Sequence, residues 1–210
     1  MAYHHGNLRE AVLERAAEVV AEQGVEALSL RSLARDLGVS HAAPSRHFAD
    51  RAALLRALAK AGFERSVERM QAGAEAAGSS PVARYRALGR SYVRFAVEDP
   101  ALFRAMNHPE VRAQMDDELR EAQHVFLRTL REGVEQAQKA GWRPEADPTA
   151  LVAFSSAAAS GTAELLADDQ YRQALDVTDA GSLERLADQI LELIVDPSDA
   201  DDPTHTRSEG

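Results

Sequence analysis

Residues 29–51, SLRSLARDLGVSHAAPSRHFADR, constrain this chain more than any other stretch. Leu30, Leu33, Ala34 and Leu37 recur at the three- and four-residue steps of an amphipathic helix. Ser29 precedes them as an N-cap, its hydroxyl able to accept from an unpaired amide of the first turn. Gly38 admits the left-handed conformation that closes a helix, and Val39 can then tuck inward. Ser40 is a second cap, and the pattern predicts a helix over residues 41–48. Pro44 falls in its first turn, where a missing N–H costs little. Beyond Phe48 that second helix has little apolar surface, and it offers His41, Ser45, Arg46 and His47 as hydrogen-bonding groups. Two short helices around a glycine turn make a helix-turn-helix, whose second helix is of a size to enter the major groove of DNA.

A net charge of -10 opposes DNA binding at first sight, because phosphate contacts need positive charge. The charge is unevenly placed. Residues 1–60 hold eight Lys/Arg, seven Asp/Glu and four His, which leaves 16 basic and 27 acidic residues for the remainder. A near-neutral head is thus joined to an acidic body, as a two-module regulator would require. No cysteine is present, so disulfides, thiolate metal sites and cysteine nucleophiles are excluded. No apolar run approaches the roughly 20 residues that span a bilayer. The first residues lack the apolar core of a signal peptide, and a cytoplasmic location is expected.

Along the chain, Asn7 reads as the cap of a first helix, with Glu10 in capping-box position and Leu8, Ala11, Val12, Ala16, Val19 and Val20 as its stripe. Gly24 ends it. Asp50 caps a long fourth helix carrying Leu54, Leu55, Leu58, Phe63 and Met70, which Gly-Ser-Ser-Pro at 78–81 stops. Further helices are expected over 82–98, 101–107, 109–140, 149–166 and 182–195, with Asp99-Pro100 and Gly141 as breaks. Residues 197–210, rich in Asp, Ser, Thr and Pro, are expected to be disordered. No strand pattern is seen. The expected fold is all-α, about nine helices by their periodicity. A three-helix helix-turn-helix unit (1–50) is joined by the long helix to a C-terminal helical domain (51–196).

Gly38-Val39-Ser40, then His47-Phe48 and Ala49-Asp50-Arg51-Ala52-Ala53-Leu54-Leu55, resemble the DNA-binding module of the TetR family of bacterial transcription regulators. With Tyr3-His4-His5-Gly6-Asn7-Leu8-Arg9 ahead of them, the resemblance covers residues 3–60. Residues 86–106, RALGRSYVRFAVEDPALFRAM, resemble one ligand-binding-domain class of that family. The class often carries Trp-x-x-x-His-Gly in its eighth helix, and here Ser160-Gly161 stands at that place. The resemblance implies a homodimeric DNA-binding regulator, most often a repressor, that binds a palindromic double-stranded operator. A small apolar or amphipathic effector releases it; no cofactor, metal, membrane or enzymatic activity is implied. An activator or ligand-independent regulator, or a carrier or enzyme on the same fold, are the alternatives.

Carried over by position, His41, Ala42 and Ala43 lie toward the major groove, with Ser45, Arg46 and His47 flanking it. Arg46 suits guanine, since a guanidinium can satisfy two acceptors at once. His47 has a second reading as a structural cap or core histidine. Ser29, Arg31 and Arg51 stand at helix starts suited to phosphates. Tyr3 and His4 form an arm along the backbone or minor groove. Ser45 replaces the tyrosine usual in the family. Phe63, Tyr85, Tyr92, Phe95, Phe103, Met106 and Phe126 are either plain core or the wall of an effector pocket between the fourth and seventh helices. His108 and His124 are candidates for its polar contacts. Leu151, Phe154, Ala158, Gly161, Leu165, Leu186, Ile190 and Leu193 are expected in a four-helix dimer interface. Glu121 and His124 form half of a di-iron pattern with no second copy, so the acidic run around them reads as a solvated face.

Overall fold

Asp50 decides where the longest helix begins: its carboxylate accepts from the Ala53 amide at 2.7 Å, filling an otherwise unpaired donor. In the computed structural model, which describes residues 8–166 and 168–195, that helix is the third of ten α-helices among the described residues. They are α1 (Leu8–Gln23), α2 (Leu30–Asp36), α3 (Arg51–Ala76), α4 (Pro81–Glu98), α5 (Pro100–Asn107) and α6 (Pro109–Ala113), then α7 (Asp117–Lys139), α8 (Pro148–Leu166), α9 (Asp169–Ala174) and α10 (Ala180–Val195). Single 3-10 turns lie at Val25–Ala27 and Pro44–Arg46, and no strand occurs among the described residues. The expected caps at Asn7, the arm residues Tyr3 and His4, and the tail 197–210 lie outside the described residues.

Proline sets the middle of the chain. Pro81, Pro100 and Pro109 each occupy the first turn of a helix, where the absent N–H is no loss and the ring terminates whatever precedes it. The helix expected to run unbroken over 109–140 is instead two. α6 stops at Ala113, and Asp116 restarts the chain by accepting from the Leu119 amide at 2.9 Å. Asp117 and Glu118 in the first turn of α7 suit its positive end. α9, which sequence reasoning did not anticipate, is nucleated in the same way. Asp168 accepts from the Gln170 and Tyr171 amides at 2.8 and 3.1 Å.

α3 is buried along its length and packs on α4, α5 and α7. Gly62 permits a close approach to α5, since a Cβ there would stand 2.7 Å from Met106 Cγ and 3.1 Å from the Leu102 carbonyl oxygen. One buried cluster runs without interruption from Val12, Val20, Leu33 and Phe48 in the head through Leu55 and Met70 to Phe95, Leu119 and Val134 in the body. The expected division after residue 50 therefore coincides with a helix cap, and the apolar core crosses it.

Candidate functional site

The turn of the helix-turn-helix forms as its residues dictate. Gly38 takes φ +67, its amide bonds the Arg35 carbonyl at 3.1 Å, and the Val39 amide reaches back to the Ala34 carbonyl at 2.9 Å. That pair of bonds is a Schellman closure. Ser29 differs from expectation. It is extended (φ -150, ψ 125) and its hydroxyl makes no capping bond; its carbonyl accepts from the Leu33 amide at 3.0 Å and the Ser32 hydroxyl at 2.9 Å. The Ser29 side chain is left exposed.

The reading segment is not the α-helix expected over 41–48. Residues 41–43 are a turn and Pro44–Arg46 a single 3-10 turn, from which the Phe48 amide reaches the Pro44 carbonyl at 3.0 Å. Pro44 explains the tightening. An α-helix would need an N–H at residue 44 to meet the Ser40 carbonyl; proline has none, and the Ala43 amide takes that acceptor instead at 2.9 Å. Pro44 and Phe48 are buried and hold the segment down, with the Arg9 guanidinium 5.5 Å from the centre of the Phe48 ring. His41, Ala42, Ser45, Arg46 and His47 are exposed and Ala43 is half-buried, so His47 is not a core histidine. Arg31 is also exposed, and neither Arg31 nor Arg46 has an ion-pair partner among the described residues.

Arg51 faces elsewhere. Its guanidinium bonds Glu110 at 2.7 Å, the Val25 carbonyl at 3.1 Å and Glu26 at 3.3 Å, and it is half-buried between head and body. It is a joint, with its donors already engaged. A second joint lies beside it, where Arg104 of α5 donates to the Val20 and Ala21 carbonyls at 3.3 Å each. These belong to the last turn of α1, and the Val20 carbonyl also accepts from the Gly24 amide at 3.1 Å. His108 Nε2 stands 3.6 Å from Glu26, completing a seam along which α5 and α6 touch the head.

In the body a cavity of about 40 Å³ lies between α4, α7 and α8. Tyr85, Tyr92, Phe126 and Leu130 face it across Gly89, Ser155, Ala159 and Ser160. The expected place, between the long helix and α7, holds a separate and more open cleft of about 730 Å³, lined by Lys60, Glu64 and Val67 of α3 and by Glu118, Ala122 and Val125 of α7. α3 contributes nothing to the wall of the smaller cavity, and Phe63, Phe95 and Met106 are core residues that line neither. Phe63 meets Phe126 edge-on at 5.7 Å, and the Tyr92 ring stands 5.4 Å from Phe126 and 6.1 Å from Phe103. His124 is exposed on α7 and does not line the cavity. Among the described residues no three metal-ligating side chains converge.

Two phenols turn their hydroxyls toward α8. Tyr85 donates to Ser155 Oγ at 2.6 Å, and the Tyr92 hydroxyl lies 3.4 Å from Ser160 Oγ. Burial pushes both phenols above their ordinary pKa, partly offset by those serine contacts and, at Tyr92, by Asn107 and the charge of Arg112. Ser156 Oγ, also on the cavity wall, is buried without a hydrogen-bond partner. A much larger cleft of about 1030 Å³ adjoins. Arg104, Asn107, His108, Arg112, Glu164 and Glu26 are on its rim, with Ser160 and Phe103 deeper in the body. Sequence reasoning missed Arg104, Asn107 and Arg112, because an isolated arginine on an amphipathic helix has the signature of any solvated face.

Of the expected interface residues, Phe154, Leu165 and Leu193 are exposed, at 55%, 46% and 79%. Ala158, Leu186 and Ile190 are half-buried against the chain's own core. Gly161 has nothing within 4 Å of where a Cβ would stand. Leu151 is 6% exposed and packs within the chain's own core.

An all-α chain with a helix-turn-helix head and a helical body has the architecture of helix-turn-helix transcription regulators. Residues 12–58 match the model described as bacterial regulatory proteins, tetR family, and residues 85–190 match the tetracyclin repressor-like C-terminal domain. The chain belongs to the TetR family. A Rhodococcus sp. RHA1 protein of unknown function is 33% identical, with 93% of this chain and 100% of that one covered and a TM-score of 0.72. Two solved structures at 18% identity share the fold. AibR in complex with isovaleryl coenzyme A and operator DNA has a TM-score of 0.69, and FadR from Bacillus subtilis in complex with stearoyl-CoA has 0.63. Each covers 89% of this chain and 97% of its own. No curated protein matches the chain. No helix among the described residues is long and apolar enough to cross a membrane.

Proposed function

We propose that this chain is a homodimeric repressor that binds a palindromic operator through its reading segment and is released by a small amphipathic effector held in the body. The observation that carries the reading is the segment itself: five exposed residues at 41–47, with Arg31 beside them, and two arginines without acidic partners. In a chain of net charge -10, unneutralised cations on a polar surface point to an anionic partner. Arg46 reads a base edge, while Arg31 and the Ser29 hydroxyl hold phosphates. Half-sites one helical turn apart, roughly 34–36 Å, require two such heads. Exposed Phe154, Leu165 and Leu193, with open space at Gly161, supply an apolar face on α8 and α10 for the partner copy. The acyl-CoA complexes of AibR and FadR support an amphipathic effector here.

The test is fluorescence anisotropy with DNA from upstream of the chain's own gene, beside analytical ultracentrifugation. A dimer that binds this DNA and loses affinity steeply with rising salt is expected. Phe154→Asp should yield monomers and weaken binding. A monomeric wild type, or no binding at micromolar protein, overturns the reading in favour of a small-molecule carrier.

A further inference from the structure

The cavity and the cleft meet at one wall. Ser160 faces both, and Tyr92, which lines the cavity, feels Asn107 and Arg112 of the cleft at its hydroxyl. On one side the surface is aromatic and apolar; on the other are two guanidiniums with no carboxylate partner among the described residues. Arg112 bonds only the Asn107 side-chain carbonyl, at 3.2 Å, and Arg104 only backbone carbonyls. Three carboxylates rim the cleft, and two of them are engaged. Glu26 is held by Arg51 and His108, and Asp168 caps α9. Glu164 and Asp168 keep their charge but pair with neither Arg104 nor Arg112 among the described residues, so both guanidinium forks are left for an arriving anion.

We propose that cavity and cleft are two halves of one site for an apolar chain ending in a carboxylate or phosphate. Arg104 and Arg112 are the counterions, and an anion seated there draws Arg104 off the last carbonyls of α1. The inference rests on the effector reading above and adds to it the ligand's charge and the joint it acts on. Both arginines donate in forks that suit two-oxygen anions. Arg104 holds neutral carbonyls at 3.3 Å, contacts longer than those a guanidinium makes to a carboxylate. An arriving anion therefore wins the competition. The cavity, at about 40 Å³, has room for a few waters and is far below the several hundred Å³ of formed ligand sites. The apolar chain must spread α8 from α4, which breaks the Tyr92–Ser160 contact and opens the wall between the halves.

Trp142, the single tryptophan, lies tilted against the cavity-lining Tyr85, ring centres 5.2 Å apart, and reports occupation by its fluorescence. The full chain is titrated with octanoate, octyl phosphate and octan-1-ol. The anions are expected to bind at least ten-fold more tightly than the alcohol, and whichever of carboxylate and phosphate is tighter identifies the headgroup. In Arg112→Ala, whose thermal midpoint should be unchanged, and in Arg104→Ala, assayed well below the midpoint lowered by loss of its two carbonyl bonds, octanoate should fall to the affinity octan-1-ol shows for the wild type. Equal affinity of acid and alcohol, no response to millimolar anion, or variants that bind octanoate as the wild type does would each overturn the two-part site. A DNA titration in parallel separates the two ideas. Operator binding without anion preference leaves the regulator standing and removes this site; anion preference without operator binding does the reverse.

Discussion

The reading segment and the effector cavity are built in opposite ways. The backbone bonds that shape the segment are local, Ser40 to Ala43, Pro44 to His47 and Phe48, Ala34 to Val39, while Phe48 beneath Arg9 seats it on the head. The cavity is closed by hydrogen bonds between residues 70 and 68 positions apart, Tyr85 to Ser155 and Tyr92 to Ser160. One is a rigid piece that can be moved as a unit. The other exists only because three helices converge, and it changes when any one of them shifts. A ligand can therefore reshape the body without deforming the surface that meets DNA, provided a few joints carry the displacement. Arg51, Arg104 and His108 are those joints.

The largest expected effect strikes the local piece. Phe48 is 3% exposed and, with Pro44, is the segment's anchor. Phe48→Ala should cost about 3–5 kcal/mol, the range for a buried phenylalanine. Because the buried cluster is continuous, circular dichroism and Trp142 fluorescence should report the same lowered midpoint. Two separated transitions would show that head and body melt independently and would break the picture of a head rigidly coupled to the body.

Next come the two unneutralised arginines, whose loss leaves stability alone. Arg46→Ala should weaken operator binding by roughly 1–3 kcal/mol and relax the preference at one base pair. Arg31→Ala should weaken all sequences alike and lower the salt slope by about 0.9, one phosphate's worth. Binding isotherms at four salt concentrations distinguish them. If both variants change the slope and neither changes the preference, Arg46 is a phosphate contact and the base readout lies with His41 or His47.

The same local-versus-distant contrast governs what could be read before the fold was seen. Residues 29–51 announced a helix-turn-helix because glycine, cap and stripe act within a few positions. Within that stretch the structure departs from the pattern at Ser29, whose hydroxyl makes no capping bond, and over 41–48, where the missing N–H of Pro44 tightens an expected α-helix into a 3-10 turn. Asp116 and Asp168 were legible caps that the longer apolar pattern obscured. Arg104 and Arg112 were not legible at all, since their meaning comes from α1 and α8, remote in sequence. Leu151 and Phe154 lie three apart, neighbours on one side of the helix, yet one is buried and the other exposed, and only the packing of α8 on α4 and α7 decides which is inside.

A smaller effect separates stability from occupancy inside the cavity. A Cβ on Gly133 would stand 2.6 Å from Leu88 Cδ1 and 3.1 Å from Tyr85 Cδ2. Gly133→Ala gains about 1 kcal/mol of helix propensity and loses a comparable amount to crowding. The net change in stability should stay within about 1 kcal/mol because Tyr85 has space to retreat into. That space is the cavity, so binding of octan-1-ol should weaken although the fold does not. Unchanged affinity would mean the ring yields in another direction.

The smallest effect is a pH dependence confined to the alkaline side. Burial raises the Tyr85 phenol above the ordinary tyrosine pKa, against a partial opposing pull from Ser155. The unfolded chain therefore gives up this proton first as pH rises, so it binds fewer protons than the native state in that interval, and stability falls. The contribution is whole below the ordinary tyrosine pKa and fades as pH climbs through it toward the raised one. Tyr85→Phe removes the ionisation and should flatten that part of the curve. At neutral pH it should lose roughly 0.5–1.5 kcal/mol with the Ser155 hydrogen bond. Urea melts at pH 7 and pH 10.5 measure both numbers. An alkaline decline that persists undiminished in Tyr85→Phe would place the titrating group elsewhere, with Tyr92, held in the same way by Ser160, the next to substitute.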